Sequence, residues 1–131
     1  MGLPGSGKTT LATALAPLLG AVVFNADAVR ANISKDLSFS HEDRIEHARR
    51  MGWPCDLIVS AGGTAIVDFI CPTVETRKAF GDAFLILVDR IKEGRFANTN
   101  AMFESPGYDL RVTAVGAPAH WAAKALVASD I

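Results

Sequence analysis

Gly2-Leu3-Pro4-Gly5-Ser6-Gly7-Lys8-Thr9 stands at the head of this 131-residue chain and fits the spacing G-x-x-x-x-G-K-[ST] at every fixed position. The spacing has a mechanism. Glycines at 2, 5 and 7, with Pro4 and Ser6 between them, let the backbone turn its N–H groups inward around phosphate oxygens. A helix starting at Thr9 adds the positive end of its dipole. Lys8 brings a mobile charge to the β- and γ-phosphates, the Thr9 hydroxyl suits Mg²⁺, and Thr10 follows in the same turn. Such a loop predicts ATP and Mg²⁺ as ligands. A plain glycine turn is the alternative, and the helix that follows at once argues against it.

Outward from the loop, Leu11, Leu15 and Leu18 mark one face of a helix over 9–19, ended by Gly20. Ala21-Val22-Val23-Phe24 reads as a buried strand. A short helix begins near Asp27 and fades around Ile33. Ser40 and Asp43 resemble a capping box opening a long helix over 41–61, which Pro54 should kink and Gly62-Gly63 end. Residues 64–70 form the next expected strand, apolar except for Asp68. Pro72 suits the first turn of a helix through Phe80, and 84–88 is a third strand. Residues 90–106 are polar and aperiodic, a long loop or lid; 108–114 alternate as a last strand, with a helix from about 119. Strands alternating with helices predict an α/β fold, a parallel sheet covered by helices on both faces, in one domain spanning 1–131.

One element is missing from that pattern. A loop of this kind connects a buried strand to its helix, and here only Met1 precedes Gly2. The four expected strands would flank an empty centre, with unpaired backbone groups costing roughly 1–3 kcal/mol each. The expectation is an apolar, β-branched run of ordinary strand length, ~5–8 residues, upstream of Met1.

Composition bounds the rest. With 50% apolar and 21% charged residues the chain is neither disordered nor fibrous. A net charge of -1 and a pI near 6.3 give no basic field for nucleic acid. The apolar runs fall short of the ~20 residues that span a bilayer, and the start lacks the basic end of a signal peptide. Cys55 and Cys71 have no metal-type spacing, so both are expected as reduced, buried thiols. A cytoplasmic protein that binds a small-molecule nucleotide, not nucleic acid or membrane, is expected, and a homodimer is compatible with this composition.

After the loop comes an ordered series: Asn25-Ala26-Asp27-Ala28-Val29-Arg30, Asp36-Leu37-Ser38-Phe39-Ser40, Asp43-Arg44-Ile45-Glu46-His47-Ala48-Arg49-Arg50 and Phe69-Ile70-Cys71-Pro72. The series resembles the adenylylsulfate kinase family of P-loop kinases, with its G-L-x-G-[SA]-G-K-[ST], D-G-D-x-x-R, D-L-G-F-S, D-R-x-E-N-x-R-R and F-I-S-P patterns. The resemblance covers residues 2–89. It implies a P-loop NTPase-type sheet and transfer of the ATP γ-phosphate to the 3′-hydroxyl of adenosine 5′-phosphosulfate. Asn25, Ser38, His47 and Cys71 depart from the family's Asp, Gly, Asn and Ser. After Asp89 the family's R-D-x-K-G-L-Y lid is not recognisable.

Each matched residue also has a plainer reading. Asp27, following a strand, can accept a hydroxyl proton or help hold Mg²⁺, or simply cap its helix. Arg30 and Arg44 can present guanidinium forks to a phosphosulfate, or be solvated helix charge. The resemblance implies that Phe39 stacks on adenine; alternatively it staples the next helix's start. Ile70 and Cys71 lie at a strand's carboxyl end, where open parallel sheets bind ligands, although Cys71 reads equally as an inert thiol. His47, beside Arg44, can touch the acceptor or be a partly exposed helical histidine. Arg95 is a lid arginine or a solvated loop residue. Two rivals stay open: a kinase for another small alcohol, such as a nucleoside, sugar or antibiotic, and a nucleotide-binding fragment without turnover.

Overall fold

The structure, a computed structural model, describes residues 1–2, 6–89 and 107–112. The expected lid over 90–106 with Arg95, the helix from about 119, and Leu3, Pro4 and Gly5 of the loop lie outside these residues. Eight elements follow in order: α1 (Lys8–Leu19), β1 (Val22–Asn25), α2 (Ala26–Asn32), α3 (His41–Ser60), β2 (Ala65–Asp68), α4 (Val74–Phe80), β3 (Ile86–Val88) and β4 (Leu110–Val112).

The local chemistry explains the boundaries. Gly7, at φ 101°, turns the chain into α1, and Gly20 at φ 60° turns it out, its N–H returning to the Ala16 carbonyl. The cap of α2 is Asn25, whose side chain accepts from the Ala28 amide, so Asp27 sits inside the first turn and is not the cap. Ser40 caps α3 by accepting from the Asp43 amide. Asp43 does not close the expected box on Ser40; its carboxylate reaches past it to the amide and hydroxyl of Ser38, at 2.8 and 2.7 Å. Pro54 lies inside α3 as one continuous element. Pro72 falls before α4, not in its first turn, because Thr73 is the cap and makes a reciprocal box with Thr76.

All the pairing is parallel, as the alternation of strands and helices requires. Val22, Val23, Phe24 and Asn25 lie opposite Ala65, Ile66, Val67 and Asp68. Ile86, Leu87 and Val88 lie opposite Leu110, Arg111 and Val112. The two ladders are separate two-stranded sheets. Leu11 and Leu15 of α1 join Val88 and Val112 in the core, with Ile66, Ile86 and Leu110 packed against them, so one helix spans both ladders. Between β2 and β3 lies a cavity of about 980 Å³.

On the other side α3 packs chiefly on α4. Gly52 permits that approach: a Cβ there would stand 2.3 Å from the Phe80 carbonyl oxygen. Backbone cannot retreat as a flexible side chain can. Gly52→Ala is therefore expected to lower stability by roughly 1–3 kcal/mol, as overpacking does, measured by urea denaturation. An unchanged midpoint would show that α3 and α4 can part without loss.

Candidate active site

The site gathers at the carboxyl ends of β1 and β2 and the amino end of α1, where open parallel sheets place ligands. No side chain caps α1, and the amino end of a helix carries the positive end of its dipole, which favours an anion. Gly2 is buried, and a Cβ on it would stand 2.5 Å from the Val88 carbonyl oxygen and 3.0 Å from Ser6 Oγ. Only glycine fits where the loop crosses β3. Ser6 is buried, Lys8 half-buried, and Thr9 and Thr10 face solvent.

Asp68 is the residue that reasoning from the sequence passed over. It is 5% exposed at the end of β2, and its Oδ2 accepts from Thr9 Oγ1 and, at 3.0 Å, from Asn25 Nδ2. The signal was there, a lone carboxylate in an apolar strand, but nothing local tied it to Thr9. Asn25 serves twice, capping α2 with its oxygen and donating to Asp68 with its nitrogen. The aspartate found here in the family would face Asp68 as a like charge. Thr9 and Asp68 are hard oxygen donors, fit for Mg²⁺, which takes one or two protein oxygens and fills its shell with phosphate and water. Among the described residues no cluster of three or more acidic, His or Cys side chains offers a fuller metal cage. Asp27, paired with Thr9 in expectation, is exposed in the first turn of α2, on the side of Arg30 and His47.

Arg30, Phe39 and Arg44 come together as a second cluster. The Arg30 guanidinium lies 4.3 Å from the Phe39 ring centre and the Arg44 guanidinium 5.7 Å. Arg30 donates to the carbonyls of Ser38 at 2.8 Å and Leu37 at 3.4 Å, and Arg44 Nε to that of Phe39 at 2.9 Å. Phe39 is 66% exposed, so its ring is a platform on two cations and not a buried staple. Arg49 and Arg50 are neutralised by Glu46 and Asp36, whereas no carboxylate forms an ion pair with Arg30 or Arg44 among the described residues. Burial, and for Arg30 the charge of Arg44, pushes both guanidiniums below their ordinary pKa. Asp27 and Asp43 lie near Arg30 without pairing to it, so the two adjacent guanidiniums can still take an anion.

His47 is buried, 4% exposed, and not the partly exposed histidine expected from its helical setting. Burial, then the nearby charge of Arg30, pushes its pKa down, which favours the neutral imidazole. Ile70 is half-buried beyond β2. Cys71 is buried at φ 48°, a left-handed backbone that costs a non-glycine residue roughly 1 kcal/mol or more. Arg77 Nε holds its carbonyl at 3.0 Å, and burial lifts its thiol above the ordinary range, so the thiol stays protonated.

Parallel strands alternating with helices, with the G-x-x-x-x-G-K-T loop leading into α1, define a P-loop NTPase-type fold, and comparison with known proteins narrows it. The family model described as adenylylsulphate kinase matches residues 1–86. This chain belongs to that family. It is 44% identical over 81 residues to an adenylyl-sulfate kinase of Chloroflexus aurantiacus, covering 58% of this chain and 44% of the relative. It is 39% identical over 97 residues to one of Picosynechococcus, covering 67% and 55%. The matched stretch thus spans about half the length of these curated relatives. An APS kinase of Mycobacterium tuberculosis in complex with AMPPNP and APS superposes at a TM-score of 0.87, over 100% of this chain and 95% of that one, with 23% identity. A sugar kinase from Janibacter superposes at 0.79, over 100% and 92%, also at 23%, so these two likenesses speak for the fold alone.

Asn25→Asp tests the Asp68 junction. It keeps the helix cap but replaces a donor by a second carboxylate, and is expected to lower stability by roughly 1–3 kcal/mol without Mg²⁺. Melting curves with and without Mg²⁺ check it: the loss should shrink when the cation is added. Equal losses in both would detach this junction from metal binding.

Proposed function

We propose that this chain transfers the γ-phosphate of ATP to the 3′-hydroxyl of adenosine 5′-phosphosulfate. The observation that carries the reading is the pairing of two sites. The uncapped amino end of α1, with Lys8 and the Thr9–Asp68 junction, suits a nucleotide's phosphates. The Arg30–Phe39–Arg44 cluster suits an anionic nucleotide with a base to stack. Family membership supports the same assignment. The two buried, free cysteines suit the reducing cytoplasm, and a homodimer is compatible with the reading.

In this mechanism the loop amides and Lys8 hold charge on the β- and γ-phosphates. Thr9 and Asp68 would hold Mg²⁺, with Asp27 as the further carboxylate; the cation supplies charge neutralisation at the phosphates when bound. Asp27 addresses the proton of the acceptor hydroxyl. Arg30 and Arg44 grip the phosphosulfate, and the Phe39 ring takes the adenine, a stack of roughly 1–3 kcal/mol. Neutral His47 and the turn at Ile70 and Cys71 shape the acceptor side, the histidine without adding a third cation. Pro4, Gly5, Thr10 and Arg95 belong to the donor side in the same proposal. A kinase for another small alcohol is the second reading, favoured by the four departures from the family's motif residues.

Release of ADP against adenylylsulfate, nucleosides and sugars discriminates between the readings. A rate that depends on adenylylsulfate alone is expected; dependence on a sugar or nucleoside would replace the acceptor. Arg30→Ala should raise the acceptor's KM about 10- to 150-fold, the loss of a charge-assisted pair, and the ATP KM little. Equal effects on both would move this arginine to the donor side. Lys8→Ala should lower turnover at least about 100-fold with the fold intact by circular dichroism. Full activity in that variant would end the kinase mechanism.

A further inference from the structure

Ser38 sits between opposite charges in the loop that presents Phe39. Its amide and its hydroxyl both donate to Asp43 Oδ2, at 2.8 and 2.7 Å, while its carbonyl accepts from Arg30 at 2.8 Å. The hydroxyl is aimed by a neighbour. Its oxygen accepts from the Ser40 amide at 3.2 Å, which leaves its proton for the carboxylate. Ser38 is exposed and Asp43 half-buried, so hydrogen bonds and not tight packing hold the two together. Glycine stands at this position in the family pattern D-L-G-F-S, and the hydroxyl is this chain's own addition.

Asp43 has other partners to choose from. It lies in the first turn of α3, next in sequence to Arg44, and its charge and that of Arg30 act on each other. Among the described residues no ion pair joins it to either arginine. The Ser38 hydroxyl first, and the Ser38 amide second, hold its carboxyl below the ordinary carboxylate range, so it stays charged and engaged near neutral pH. Stripped of the hydroxyl, it would keep one bond to a neutral amide. A guanidinium, with its charge-assisted fork, is the stronger partner for the capacity so released. An anion arriving at Arg30 and Arg44 would then have to displace a carboxylate that the chain itself supplies.

We propose that the Ser38 hydroxyl is a positioning group that keeps the Asp43 carboxylate off Arg30 and Arg44, and so sets the affinity of the Arg30–Phe39–Arg44 cluster for an anion. The proposal rests on the reading of that cluster as the grip on an anionic acceptor. The effect passes through the charge of Asp43 and not through the shape of the loop. Asp27, the other carboxylate near Arg30, stands three residues before it on α2 and weighs equally on every Ser38 variant.

Titration with inorganic sulfate, and separately with adenosine 5′-phosphosulfate, tests this. NMR signals of the Arg30 and Arg44 Nε–H groups give the reading, so binding at the phosphate loop does not enter it. Ser38→Ala is expected to weaken both anions about 2- to 5-fold, the weight of an exposed ion pair that must first be broken. Ser38→Thr, which keeps a hydroxyl, should bind as the parent does. Combined with Asp43→Asn, which retains an acceptor for the amide but no competing charge, Ser38→Ala should change nothing. Two results would overturn the proposal: unchanged anion affinity in Ser38→Ala, or the same loss with and without Asp43→Asn, which would reduce the hydroxyl to a prop for the loop. The acceptor assignment fails separately. Sulfate following this pattern while adenosine 5′-phosphosulfate does not bind would remove the acceptor and leave the proposal standing; arginine signals that neither anion moves would remove both.

Discussion

A buried carboxylate has to be answered by donors, and the answer at Asp68 organises the site. Its Oδ2 is met by Thr9 from the first turn of α1 and Asn25 from the end of β1. Three elements distant in sequence are thereby fixed at one point, directly beneath the helix end that would face phosphate. Asn25 also starts α2, which carries Arg30 toward Phe39. The start of α1 and the Arg30–Phe39–Arg44 cluster are thus referred to a common origin. A charge buried this deeply is costly unless paired or bonded, so the geometry is not free to drift.

The Arg30–Phe39–Arg44 cluster follows a different logic. Asp43 grips Ser38, Arg30 and Arg44 grip the carbonyls of residues 37–39, and the loop so held presents an aromatic ring outward. The serine at 38, where the family has glycine, adds a hydroxyl that Asp43 binds as well as the amide. Rigid presentation lowers the ordering cost that a ligand must otherwise meet.

What was legible in the sequence were features set by local spacing. The phosphate loop and the order of strands and helices followed from glycine positions and apolar runs. Val22, Val67, Ile86 and Val112 each fall in a strand as expected. What was not legible depended on partners far away in the chain. Asp68 looked like an interruption in an apolar strand because Thr9 is 59 residues distant. Asp27 resembles a cap in the sequence because the true cap, Asn25, stands only two residues before it. His47 was expected half in solvent because helical spacing says nothing of what α2 lays over α3. Pro72 was assigned to a first turn that Thr73 and Thr76 begin later.

The split between the two ladders also bears on how the molecule opens. Among the described residues the two sheets share no ladder, and the leucines of α1 and their neighbours link them through side chains. Among the described residues, each ladder can then lose its backbone bonds without first breaking the other's. β3 and β4, three residues each, form the smaller unit, and Gly2 rests against its carbonyl at Val88. The start of the G-x-x-x-x-G-K-T loop leans on the shorter of the two ladders, and a ligand held by that loop would damp the opening of that half first.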